Sequence, residues 1–93
     1  MLVKNFKGSS RWSAPRGYVS WLDYWSAHKG LTLDCCASDC NEKGDLVGAH
    51  VQKVNSTDKG VYIIPLCRAC NQRTDEFEVT ASLLLPVPSR LNG

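Results

Sequence analysis

The chain has no stretch approaching the roughly 20 consecutive apolar residues that a membrane-spanning helix requires, which argues against a membrane protein of the helical kind. Its first residues, Met1-Leu2-Val3-Lys4-Asn5-Phe6-Lys7, lack the continuous apolar segment and small-residue cleavage site of a secretory leader. Together these absences lead to the expectation of a cytoplasmic protein, in a reducing compartment where disulfides are disfavoured. Surplus charge is also scarce. Eleven Lys and Arg against nine Asp and Glu leave +2, so composition alone does not announce a nucleic-acid binder, and any basic footprint has to come from local clustering. Internal repeats, low-complexity tracts and signs of a second domain are lacking as well. The last shortage is length: at 93 residues a domain buries only about two-thirds of its unfolded surface, so something must supplement the core.

What the chain does have is five cysteines, grouped as Cys35, Cys36 and Cys40 upstream and Cys67-x2-Cys70 downstream. In a reducing compartment, paired cysteines read as metal ligands, and the downstream spacing lets two thiolates meet one tetrahedral ion. Four ligands would leave one thiol over, in agreement with the odd count. Upstream, Cys40 can pair with Cys35 or with Cys36. Leu31, Leu33 and Cys35 share parity on a short predicted strand, so alternation favours Cys35, and the thiol left out is a small buried hydrophobe. The expected set is Cys35, Cys40, Cys67 and Cys70 around a structural Zn2+, a closed shell with no open position for water.

Around that frame the chain reads as a small α+β domain. Residues 1–17 are polar, basic and turn-rich, and read as an extended arm ahead of a single domain over residues 18–93. Tyr18, Trp21, Leu22 and Trp25 recur at i, i+3, i+4 and i+7, the stripe of an amphipathic helix that Gly30 ends. Runs over 46–54 and 61–64 flank the turn formers Asn55 to Gly60, which predicts a β-hairpin closed by Pro65. A short helix is predicted over 67–73, and residues 77–88 read as extended.

Two residues in this frame can carry chemistry. His50 lies between the cysteine pairs, on the first hairpin strand, where it reads equally as a general base, a satisfied core histidine or an alternative metal ligand. Asn71 directly follows the last cysteine, where an Asn otherwise simply bonds nearby backbone. Lys53 and Lys59 bracket the hairpin loop, Arg68 sits between the downstream cysteines with Arg73 one turn later, and Lys4, Lys7, Arg11 and Arg16 lie in the arm. Such a set can contact phosphates, with ordinary surface charge as the competing reading.

A cysteine pair, a His-bearing hairpin, then Leu66-Cys67-x2-Cys70-Asn71 at the start of a helix resembles the treble-clef, ββα-metal arrangement of the HNH endonuclease superfamily. The resemblance covers Cys35 to about Phe77. It implies a metal-dependent DNA endonuclease or nickase, with His50 as the base that activates water and Asn71 as a ligand of Mg2+ or another divalent ion. The residue before the histidine is commonly an acidic or histidine ligand in active members and is Ala49 here, and the segment before Cys67 lacks the Asn that many carry. Hydrated magnesium takes one or two carboxylates besides substrate phosphates, and Asp45, Asp75 or Glu76 would have to supply one. The alternative implication is a degenerate, zinc-stabilised module that binds DNA or RNA without cutting. A third is an interaction protein whose aromatic helix docks on a host or partner protein.

Overall fold

The computed structural model describes residues 1–9, 12–32 and 34–88. A five-stranded antiparallel sheet runs in the order β4-β1-β2-β3-β5, with β1 Leu2–Asn5, β2 Leu46–Lys53, β3 Tyr62–Cys67, β4 Phe77–Glu78 and β5 Leu85–Pro86. Helix α1 spans Trp21–Lys29 and α2 is a single turn, Arg68–Asn71. Among the described residues no helix is long and apolar enough to cross a membrane.

Strand alternation gives the sheet two different faces. Val3, Ala49, Val51, Ile64 and Leu66 pack on one face with the cysteines, Phe77, Val79 and Leu84. On the other face Ile63 packs against Trp21 and Trp25 of α1. Ser20 caps α1 by accepting from the Asp23 amide at 3.1 Å, and Gly30, at φ 99°, closes it with its N–H on the Ser26 carbonyl. Trp25 Nε1 donates to the Leu83 carbonyl at 2.8 Å, so the buried indole is satisfied and ties the tail to the helix.

Three expectations need correction. Residues 2–5, read as part of an extended arm, form β1, which pairs with both β2 and β4 and buries Val3 completely. Two isolated apolar residues in a basic stretch give no strand period, so only the tertiary partners reveal it. Pro65 does not close the second hairpin strand: β3 continues to Cys67, with Pro65 opposite Gly48. Its carbonyl accepts from the Cys36 amide at 3.0 Å, on the side away from β2, so its missing N–H falls where β2 asks for no donor. The short strand predicted through Leu31 is not formed there: Leu31 is 84% exposed and belongs to no strand, while Leu33 lies outside the described residues.

Helix α1 meets β2 backbone to backbone at Gly48. A Cβ at Gly48 would stand 2.6 Å from the Leu22 amide nitrogen and 2.7 Å from the Trp21 carbonyl carbon, so backbone meets backbone there. Gly48→Ala should therefore lift the helix and cost about 1–3 kcal/mol, as overpacking does. The change is readable as a fall in urea midpoint with an unchanged slope; a variant as stable as the parent would show that the contact is not fixed.

Asp58 organises the hairpin loop. Its carboxylate accepts from the Tyr62 hydroxyl and the Gly60 amide and pairs with Lys53 at 3.1 Å, which together hold its pKa down to about 2. A carboxyl depressed in the folded state stabilises above its unfolded pKa, about 3.9, and loses that contribution as pH falls toward 2. The stability gap between the parent and Asp58→Asn should thus be largest near pH 6 and narrow by pH 3. A gap independent of pH, in urea titrations at the two values, would contradict the ionic role.

Candidate functional site

The upstream cysteines sit on a loop fastened at several points. Asp34 bridges Lys43 in the backbone and pairs with its ammonium at 2.7 Å, and the Cys35 amide donates to the Glu42 carbonyl at 2.9 Å. The Ser38 amide reaches the Glu78 carbonyl, and the Cys40 amide returns to the Ala37 carbonyl in a tight turn. Downstream, Cys67 ends β3 and caps α2, its sulfur accepting from the Cys70 amide at 3.5 Å. The Sγ atoms of Cys35, Cys40, Cys67 and Cys70 all lie within 4.8 Å of one another, with Cys40 and Cys67 at 3.8 Å.

That spacing belongs to neither disulfides nor casual contact. A disulfide needs its sulfurs about 2.05 Å apart, whereas metal–sulfur bonds of about 2.3 Å place the corners of a tetrahedron about 3.8 Å apart. All five cysteines are free thiols. Burial pushes the thiols of Cys35 and Cys70 up, while the Cys70 amide holds Cys67 down. As thiolates the four would repel; a cation at their centre removes that repulsion and favours deprotonation. The four residues present thus fit a metal ion.

Cys36 stands apart from the four. Its sulfur turns to the Asp34 carbonyl at 3.6 Å, and burial together with the neighbouring Cys35 and Asp34 raises its pKa to about 11. The preference for Cys35 holds, but not through leucine parity, because Leu31 faces solvent. The Cys36 amide is held by Pro65 of β3, which orients the two consecutive side chains oppositely.

His50 lies on the sheet face opposite the cysteine core, paired with Ile63, and belongs to no metal-competent group among the described residues. Its ring stands edge-on to Trp21 at 4.8 Å and Trp12 at 5.4 Å, and Ser9 Oγ is 3.1 Å from Nδ1. It opens on a cleft of about 540 Å³ that forms where β1 stops pairing with β2 and α2 faces the exposed edge. The cleft brings His50 and Asn71 together, with Lys7, Ser9, Trp12 and Arg73 around them. Asn5 secures its floor: Nδ2 donates to the Cys70 carbonyl at 2.9 Å and the Arg73 carbonyl at 3.0 Å, which satisfies backbone left over at the end of α2. Asn5 and Ser9 carried no sequence signal, because each acts through a contact more than 40 positions away.

Compared with known proteins, the chain matches no family model, no curated protein and no solved structure.

The four basic candidates are dispersed. Arg73 is clamped by Asp39 and Asp75 at 2.7 and 2.6 Å and stacks over Phe77, and both carboxyls are held below their usual range by it. Arg68 reaches Asp45 at 3.3 Å in a separate depression beside the metal loop. Lys53 pairs with Asp58 over the Tyr62 ring, and Lys59 lines the same hollow. Among the described residues, no carboxylate lines the His50 cleft: Asp45 and Asp75 hold arginines, and Glu76 lines the hollow with Lys59. On α1, Trp21 and Trp25 are committed to the core, and Tyr24 packs half-buried against them in ring contact with Tyr18 and His28.

The cysteine assignment is tested by replacing neighbours. Cys35→Ser should abolish tight metal retention, while Cys36→Ser should keep one equivalent per chain, by elemental analysis of purified protein. Equal metal content in the two variants would refute the choice of ligands.

Proposed function

We propose that this chain is a zinc-stabilised, HNH-like module that binds nucleic acid at the cleft beside His50. The observation that carries the reading is the meeting of His50, Asn71 and Lys7, drawn from three separate segments, in one cleft without an acidic lining residue among those described. Zinc is the ion that four thiolates at tetrahedral spacing suit best, and a closed four-sulfur shell makes it structural. The order β2, β3, α2 is then read as the treble-clef unit, with the one-turn α2 in place of the longer helix expected over 67–73.

Binding is favoured over cutting by what the cleft offers an ion. Asn71 supplies an amide oxygen and His50 an imidazole, whereas magnesium is held by one or two carboxylates besides the substrate's phosphates. Phosphate itself asks for less. Cations, amides and hydroxyls position it, and Lys7, Asn71 and Ser9 provide those groups.

Endonuclease activity is the second reading, favoured by the convergence of His50 with Asn71. In it His50 takes the proton from the attacking water, Asn71 helps hold Mg2+ or another divalent ion, and that ion would stabilise charge on the phosphate. One set of measurements separates the readings. A labelled duplex and its single strand should bind the parent with strong salt dependence, His50→Ala should bind alike, and neither protein should nick with magnesium, manganese or nickel. Nicking that disappears in His50→Ala would establish the enzyme instead. Flat binding curves at about 50 mM salt, where phosphate contacts are strongest, would overturn both.

A further inference from the structure

Helix α1 covers only one end of the sheet face on which His50 stands. Its contact is at Gly48, and Trp21 touches the His50 ring, so the helix's cover ends at the histidine. Residues two apart on a strand share a face, which puts Gln52 beyond His50 on the same side of β2. Lys4 of β1 is the cross-strand partner of Gln52 and so points the same way.

The surface hollows join in that direction. Lys7 lines both the His50 cleft and the next depression, Lys4 and Gln52 line that depression and the one after it, and Lys59 lines the last. The result is a continuous course from His50 over Lys7 and the Lys4–Gln52 pair to Lys59. Its charge is positive. Beyond the clamped Arg73, the two outer depressions carry four lysines, at 4, 7, 53 and 59, against Asp58 and Glu76. Asp58 is already occupied by Lys53 and Tyr62, and among the described residues no ion pair reaches Lys4, Lys7 or Lys59. Unpaired lysines spaced along an open sheet face suit a ligand with regularly repeated negative charge.

We infer that a nucleic-acid strand runs along this uncovered face from the His50 cleft, its phosphates contacted by Lys7, Lys4 and Lys59. The inference rests on the nucleic-acid reading above and adds the path, which follows β1 and β2 and leaves the Arg68 side of α2 untouched. Gln52 supplies an amide in mid-course; its Nε2 donates to the Lys59 carbonyl at 2.9 Å, which ties the loop bearing Lys59 to the strand.

The test is the salt dependence of binding to a fluorescent oligonucleotide, single-stranded and duplex, by the full chain with its metal. Removing one phosphate-binding charge lowers the slope of log affinity against log salt by about 0.7 for a single strand and about 0.9 for a duplex. Lys4→Gln combined with Lys7→Gln should therefore lower it by about 1.4 to 1.8, and Lys59→Gln by about half as much. Lys43→Gln removes equal charge on the metal loop and should leave the slope unchanged, with metal content and circular dichroism confirming that every variant is folded. A double variant with the parental slope, or an Arg68→Gln variant that shows the decrease instead, would overturn the path while the nucleic-acid reading stands. No binding by the parent would overturn both.

Discussion

Four sulfur atoms within 4.8 Å of one another, a set that could hold a metal ion, bring the upstream loop against the junction of β3 and α2. The loop bearing Cys35 and Cys40 has few apolar residues, and α2 is too short to be stable by itself. Buried thiols contribute small hydrophobic area; the same sulfurs around a cation bind by many kcal/mol, and since an unfolded chain has no such site, that energy goes into folding. A metal held there would fix where β3 ends and where α2 begins. It would also fix where the His50 cleft lies, because Asn71 follows the last cysteine directly.

Strand β2 transmits this order to the other side of the molecule. Ala49 and Val51 face the cysteine core, whereas Gly48, His50 and Gln52 face the helix and the open sheet. The absence of a side chain at Gly48 lets α1 close on the strand; two residues further on, the His50 ring stands edge-on to Trp21. Buried core and open face therefore alternate along one strand. Neither can shift register without destroying the other, since a slip of one residue exchanges the faces.

How much of this could be read in advance depended on range. The cysteine spacing, the hairpin and the aromatic helix are local patterns, and all three are present, although α1 begins at Trp21 and not at Tyr18 and β3 runs on to Cys67. The strand at Leu2–Asn5 was illegible because its stability comes from pairing with residues about 50 and 75 positions away. Pro65 misled because a sequence does not say which side of a strand a missing donor faces. The ion pairing of the basic residues was illegible for a similar reason. Arg68 and Arg73 stand near the candidate chemistry in sequence, yet carboxylates occupy both, while Lys4 and Lys7, far from it along the chain, border the cleft and the open sheet face beyond it.

Ala49 shows why the cleft lacks an acidic ligand. The residue is 2% exposed, paired with the fully buried Ile64, and among the described residues the core holds no buried polar or charged side chain. A carboxylate at that position would enter an apolar environment unpaired, where an isolated charge costs several kcal/mol or is neutralised by protonation. A neutral carboxyl is a poor metal ligand, so such a substitution would weaken the fold without equipping the site. Acidic groups elsewhere are no easier to recruit, since Asp75 would first have to abandon Arg73 and Asp45 would have to abandon Arg68. The packing that gives this short chain a core therefore works against a catalytic ion at His50, and leaves the cleft with the neutral and cationic groups to which a phosphate can bind.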